Sequence, residues 1–402
     1  MIHRKHLSKI LYAASAALLL AACNDGPTEP DGTSTIPNGA PDARAVKFWE
    51  AGATVAWNQT ARELVAARAV ASPAVQLRIF AYLTLAQYNA IVTAEDTKNR
   101  GTHASPAAAV GGASVVVLKS FFPLDGALID ARLAEQLAAT PWPGEKRKDA
   151  ASGEAVGRAV GTAVVLYAAA ENFNVLPVPP VPVGPGFWFS SGAPIVRGLW
   201  GSRPFFLTSA DQFRSAPPPA FGSRAFLANL AEIRTLSETR TPEQLAIGLF
   251  WAPKVASFMN EVGAGLIVTH KRSERKAAHI LALANMAAFD AHIACWDAKF
   301  AYWLIRPSQV DPAITLPLGL PNHPSYTSGH SCNTASYATV LAHAFPAETA
   351  LLEGYTTEAG LSRMYLGIHY RFDITAGVEL GRNVAEWAMA HDVVGHKPFP
   401  LD

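Results

Sequence analysis

Two cations seven residues apart open the chemistry of this chain: Lys299 and Arg306. On one continuous helix that spacing is nearly two turns, so both side chains would project from one face toward a shared anion. Pro307 would end such a helix and leave the pair at a rim. Next comes His323-Pro324-Ser325-Tyr326-Thr327-Ser328-Gly329-His330, directly before a helical run. A Ser328-Gly329 step at a helix start presents backbone N–H groups and the positive end of the helix dipole to an oxyanion. A third segment, Ser362 to Asp373, adds Arg363 and His369. Asp373 follows His369 by four residues, the helical spacing at which a carboxylate accepts from the second ring nitrogen and fixes the tautomer. Each piece alone is ordinary, since charged pairs on a helix usually face solvent. Together they describe a site for a tetrahedral oxyanion at which proton transfer or covalent capture occurs.

The order K-x6-R-P, S-G-H, S-R-x5-H-x3-D resembles the three-part signature of the superfamily joining vanadium-dependent haloperoxidases with type 2 phosphatidic acid phosphatases and bacterial acid phosphatases. Weaker likenesses extend it to the soluble bacterial haloperoxidase branch: Pro185-Gly186-Phe187-Trp188, Trp200-Gly201-Ser202-Arg203-Pro204-Phe205, Gln212-Phe213-Arg214 with Pro217 to Pro219, and Phe250-Trp251. Thr327 departs from the pattern, because the family often has proline before Ser-Gly-His. The resemblance implies that Lys299, Arg306 and Arg363 neutralise oxygens of vanadate or phosphate, with Ser328 and the Gly329 amide donating to the same oxygens. It implies that His369 binds vanadium, or attacks phosphorus in a phosphatase, and that Asp373 orients it. His330 matches the general acid–base. In the implied peroxidase chemistry hydrogen peroxide is activated at the bound vanadate, polarised by Lys299, and a halide is oxidised to hypohalous acid without a change in the metal's oxidation state.

Vanadate and phosphate are tetrahedral oxyanions of similar size, so one pocket serves two reactions. The first reading is peroxide-dependent halide oxidation; the other is hydrolysis of a phosphate ester through a phosphohistidine at His369. Trp296 and His323 fall where haloperoxidases line the halide side, and His323 resembles the bromide-oxidising members, which favours bromide or iodide over chloride. Cys295 and Cys332 flank the site, either as a disulfide bracing it or as two separate thiols. His279 and His292 read as structural residues of the long helix.

The elements that must position these groups read as all-α. Two helical bundles of the four-helix type are expected, residues 43–176 and 223–402, with the site on the second. Ser72-Pro73 opens a helix to about Ala94, and Thr241-Pro242-Glu243-Gln244 is a capping-box start. A long helix is expected from about Arg275 to Ile305, another from near Ser328 to Pro346, and a last from about Thr375 to His391. Between the bundles, residues 177–222 hold PVPPVPVGPGFWFSSGAP and SAPPPAF, too rich in proline for helix or sheet ladders.

Residues 1–22 read as an address. Arg4, Lys5 and Lys9 precede the apolar run Ile10–Ala22, the layout of a secretory signal. Leu20-Ala21-Ala22-Cys23 resembles a bacterial lipobox, which implies a lipid on Cys23, and Asn24 after it resembles sorting to the outer membrane. Residues 23–42 read as a flexible tether. The expected product is an exported lipoprotein that meets the membrane only through that lipid. Across all 402 residues, 33 Lys+Arg against 32 Asp+Glu give +1, which argues against a nucleic-acid partner. With 50% hydrophobic residues the chain has ample material for a large core.

Overall fold

A computed structural model describes residues 52–97, 103–139, 149–173, 180–196, 198–393 and 397–401. The signal, the tether and Cys23 lie outside the described residues. The described chain is all-α, with thirteen α-helices and no strand. Five precede the proline-rich stretch: α1 (Ala53–Ala67), α2 (Pro73–Asp96), α3 (Pro106–Phe121), α4 (Gly126–Ala138) and α5 (Ala150–Ala169). Eight follow it: α6 (Arg224–Thr239), α7 (Pro242–Trp251), α8 (Val255–Thr269), α9 (Glu274–Tyr302), α10 (Pro307–Val310), α11 (Gly329–Ala344), α12 (Thr349–Tyr365) and α13 (Arg371–Ala390).

Their starts are written locally. Ser105 accepts from the Ala108 amide ahead of α3, Asp149 from Ser152 ahead of α5, and Thr241 and Gln244 form the expected capping box on α7. In α5, Gly153, Gly157 and Gly161 recur every four residues and are buried on one face. That face takes α3 at backbone contact: a Cβ on Gly157 would lie 2.0 Å from the Ala109 carbonyl oxygen.

Helix α9 is the axis of the molecule and packs on α2, α11 and α13. By length and composition it is long and apolar enough to cross a membrane, yet 94% of its most apolar stretch is buried within the protein. It ends at Tyr302, earlier than the sequence suggests, because Trp303 turns left-handed at φ 50°. Residues 304–306 then run extended, and Pro307 starts α10 at its first position instead of ending α9. Likewise His369 precedes α13, whose cap is Tyr370, so His369 and Asp373 are not one helical turn of the same helix.

The described part of the proline-rich stretch lies against the link that follows α9. The Trp188 amide donates to the Trp303 carbonyl at 2.7 Å, and the Ile305 amide to Gly186 at 3.0 Å. Further along, Arg214 makes a two-pronged pair with Asp297 at 2.6 and 2.7 Å, and the amides of Phe205, Phe206 and Leu207 converge on Asp290. Proline leaves this segment's backbone groups free of ladders, so they pair with helix ends and side chains.

Helix propensity alone favours alanine over glycine at position 157, but the backbone contact outweighs it. Gly157→Ala is expected to lower stability by about 2 kcal/mol, read as a fall in the thermal melting point; an unchanged or raised midpoint would show that α3 and α5 separate without cost.

Candidate active site

Four segments bring the site together: the last turn of α9, the extended link into α10, the loop 323–328 with the start of α11, and the turn between α12 and α13. Lys299 comes from the first and is fully buried. Its ammonium donates to the carbonyls of Pro324 at 3.0 Å, Ser325 at 2.9 Å and Thr327. All three N–H donors are thereby used, so Lys299 places charge behind the loop and not a free donor in front of it.

Arg306 is also fully buried. Being off α9, it reaches the site because the link turns and not because of helical spacing. Its Nε donates to the His323 carbonyl at 3.0 Å and its Nη1 to the Ile368 carbonyl at 2.6 Å. Nη1 also lies 3.2 Å from His369 Nε2, and Nη2 lies 3.0 Å from His323 Nδ1. One guanidinium thus ties both histidine-bearing loops to the link.

Asp373 is the carboxylate of the site. Its Oδ2 accepts from the Ser325 hydroxyl at 2.6 Å, His369 Nδ1 at 2.8 Å and the Tyr370 amide at 3.1 Å. The predicted His369–Asp373 contact therefore exists by a different route: Asp373 is the third residue of α13 and reaches back over the cap. With Nδ1–H held there, the lone pair of His369 sits on Nε2. Ser325 is a participant that sequence reasoning passed over, although it lies inside the loop that carried the signal.

Ser328 caps α11, accepting from Ser331, and its own amide donates to the Asp373 carbonyl at 3.0 Å. The Gly329 and His330 amides open the helix, where no intrahelical acceptor exists. Gly329 is needed for room, since a Cβ there would meet Trp296 Cζ3 at 3.2 Å and His292 Cε1 at 3.3 Å. The Tyr326–Thr327 peptide is cis, at the position where Thr327 departs from the family's proline. Cys295 and Cys332 are free buried thiols, so of the two readings the disulfide is excluded. The Thr327 hydroxyl lies between them, 3.2 Å from Cys295 Sγ and 3.4 Å from Cys332 Sγ.

Helix α7 contributes through its carbonyls, which no side-chain motif announces. Arg363 Nη2 donates to the Gly248 carbonyl at 2.9 Å, and His330 Nε2 lies 3.0 Å from the Trp251 carbonyl. A carbonyl only accepts, so His330 carries its proton on Nε2 and keeps Nδ1 as a lone pair. Trp296 packs against two histidines in tilted contacts, with ring centroids 4.2 Å from His292 and 4.9 Å from His323.

The charge balance points to an anion. Burial pushes Lys299 down to about 8, Arg306 to about 10 and Arg363 to about 9, with Arg306 repelling both of the others. Burial also holds His323, His330 and His369 well below the ordinary histidine value, the neighbouring cations adding to it. Burial raises Asp373 to about 6 against its hydrogen bond from Ser325. Three buried cations meet one carboxylate, and a multiply charged anion relieves that surplus. The residues present therefore fit a tetrahedral oxyanion: the Arg363 guanidinium, helix-start amides, background positive charge from Lys299 and Arg306, and an imidazole lone pair that now accepts from Arg306.

The PAP2 superfamily model matches residues 277–392. Among solved structures the chain is similar to a bacterial vanadium-dependent iodoperoxidase, at 25% identity and TM-score 0.71, over 84% of this chain and 95% of that one. It is similar in fold to the apo form of a bacterial vanadium-dependent chloroperoxidase, at 14% identity and TM-score 0.63, over 80% of this chain and 94% of that one. The holo form gives the same identity and score, over 80% and 92%. A search of curated proteins finds no match.

Lys299 loses its charge as pH rises through about 8, so anion binding must weaken on the alkaline side. Sulfate, whose own charge is constant there, is expected to bind up to about tenfold more weakly at pH 9 than at pH 7, by calorimetry. Lys299→Met should bind weakly at both; a wild-type affinity flat across that range contradicts the assignment.

Proposed function

Through residues 277–392 the chain belongs to the PAP2 superfamily, and from that premise we propose that it is a vanadium-dependent haloperoxidase oxidising bromide or iodide with hydrogen peroxide. The observation that carries this reading is the buried cluster of Lys299, Arg306 and Arg363 around a histidine whose proton is held on Nδ1 by Asp373 and whose Nε2 lone pair accepts from Arg306. What favours peroxidase over phosphatase is that the likeness to the iodoperoxidase runs over 84% of the chain, beyond the shared oxyanion segments.

His369 Nε2 would hold vanadium, Arg363, Ser328 and the Gly329 amide would hold its oxygens, with Arg306 joining them as it exchanges its present protein acceptors, and vanadate when bound would supply a Lewis-acidic centre that activates peroxide toward halide. The chain's own part is electrostatic and positional. Asp373 keeps the His369 proton on Nδ1, which leaves the lone pair on Nε2, and the Arg306 hydrogen bond that this lone pair now accepts must give way when an anion takes that nitrogen. Lys299 supplies positive potential where an oxygen leaves as an anion. His330 is neutral and holds its proton on Nε2 against the Trp251 carbonyl, so its Nδ1 takes a proton from the incoming acid and returns it to the leaving oxygen.

The halide preference follows from desolvation. His323, held by Arg306 and packed at a tilt against Trp296, gives the site's edge a neutral, polarisable wall without a free charge. Removing water from an anion costs least for the larger, weakly hydrated ions, which places bromide and iodide ahead of chloride. The N-terminal reading adds that the enzyme is exported and held at the outer membrane by a lipid on Cys23. Cys23→Ala is then expected to move it from the membrane fraction to the soluble one.

Purified protein loaded with vanadate is expected to oxidise bromide or iodide with peroxide. His330→Ala should lower that turnover by about 10²–10⁴-fold while sulfate still binds. Hydrolysis of p-nitrophenyl phosphate with no halide oxidation at any vanadate loading would overturn the reading in favour of a phosphohistidine at His369.

A further inference from the structure

The histidine that moves protons in this site leans on a helix end. Helix α7 stops at Trp251, and the last carbonyls of a helix lack intrahelical donors. The Trp251 carbonyl takes the Lys254 amide at a long 3.4 Å and leaves its second lone pair for His330 Nε2 at 3.0 Å. The Ala252 carbonyl faces the same ring. Arg363 and His292 oppose a second proton on that ring, whereas these carbonyls, at the negative end of α7, favour it. When Nδ1 takes a proton, Nε2–H therefore already points at the groups that stabilise the imidazolium.

This helix end is seated in turn by the side chain of the same tryptophan. The Trp251 indole is fully buried, edge-on to Phe250 and Phe258 with ring centroids 5.6 and 5.2 Å away. Its Nε1–H donates to Glu358 Oε1 at 3.0 Å. A buried indole N–H without an acceptor is costly, so this bond resists any shift of the last turn of α7. Glu358 lies on α12, five residues before Arg363. The preceding turn of α7 is held separately. A Cβ on Gly248 would lie 2.8 Å from Leu366 Cδ2, and the Gly248 carbonyl accepts from Arg363 at 2.9 Å. Of these two attachments, the Gly248 contact serves Arg363 and the Trp251–Glu358 bond serves His330.

We propose that Glu358 is a positioning residue for His330, acting through Trp251: its carboxylate takes the indole N–H, seats the last turn of α7, and so keeps the Trp251 carbonyl on His330 Nε2. The assignment rests on the reading of His330 as the general acid–base. It gives a half-buried glutamate on the far side of α7 a part in proton transfer without contact with the anion.

The test separates position from chemistry. With histidine labelled in nitrogen-15, the His330 ring signals of the vanadate-free protein, assigned by comparison with His330→Ala, report which nitrogen carries the proton. The wild type is expected to show it on Nε2. Glu358→Leu, which removes the acceptor, and Trp251→Phe, which keeps an aromatic ring but removes the donor, should both move the signals toward a mixture of tautomers. Glu358→Gln retains an acceptor oxygen and should restore the wild-type pattern. In the loaded enzyme, Glu358→Leu should lower kcat about tenfold while the KM for peroxide and the affinity for sulfate stay near wild type, and adding Trp251→Phe should cost little more because one bond is lost in both. Unchanged His330 signals in Glu358→Leu overturn the proposal. So does a Glu358→Gln variant as impaired as Glu358→Leu, or a loss of kcat, sulfate affinity and melting point together. If the wild type oxidises no halide, the functional reading fails by itself, and the nitrogen-15 signals alone decide whether Glu358 positions His330.

Discussion

Burying three cations around one carboxylate is the constraint on which this structure rests. An isolated buried charge costs several kcal/mol, and Asp373 can offset only part of it. The fold meets the remainder with backbone carbonyls: Pro324, Ser325 and Thr327 on Lys299, His323 and Ile368 on Arg306, Gly248 on Arg363. Carbonyl dipoles solvate a cation without cancelling its charge. The positive potential therefore survives for an anion, which a matching set of carboxylates would have abolished.

That solution dictates loop shape. Carbonyls can converge on a buried ammonium only where the chain is free of helix and sheet ladders, which is what 323–328 provides, beside the link 303–306 that brings Arg306 in. Both are irregular, and both are held from outside. The proline-rich stretch binds the Trp303–Ile305 backbone, Asn322 bonds the Ala193 carbonyl at 2.7 Å, and Tyr326 bonds the Ala216 carbonyl at 2.6 Å. Proline suits the outer layer because it cannot compete for the same acceptors and loses little conformational entropy on ordering. Preorganisation of the site is thus a property of three layers: helix ends, irregular loops, and the extended segment over them.

Two buried carboxylates serve the fold in different ways. Asp290, fully buried, receives three consecutive amides from 205–207 and is still pushed up to about 7 by burial. Asp373 receives a hydroxyl, an imidazole and an amide, has Lys299 and Arg306 nearby, and is likewise raised by burial, to about 6. The first anchors the extended segment to α9, and the second sets a histidine tautomer.

Much of this was legible in the residues themselves. Capping residues and period-3.6 patterning are local, so the starts of α2, α7 and α11 could be read directly, and the three oxyanion segments announced themselves by type and order. What spacing could not supply was the path between them. Seven residues from Lys299 to Arg306 suggested one helix face, yet a left-handed Trp303 breaks the helix, and Arg306 arrives from an extended link. Four residues from His369 to Asp373 suggested a helical turn, yet the contact crosses a helix cap. The carbonyls of α7 and the hydroxyl of Ser325 carried no signal of their own, because backbone groups have no sequence and a loop serine is ordinary until its neighbours are known. By itself the sequence determined which ions and donors the protein has and that they want an oxyanion. Only the tertiary structure decided which donors are spent on the protein's own backbone and which are left over for a ligand, because that depends on contacts between residues distant in the chain.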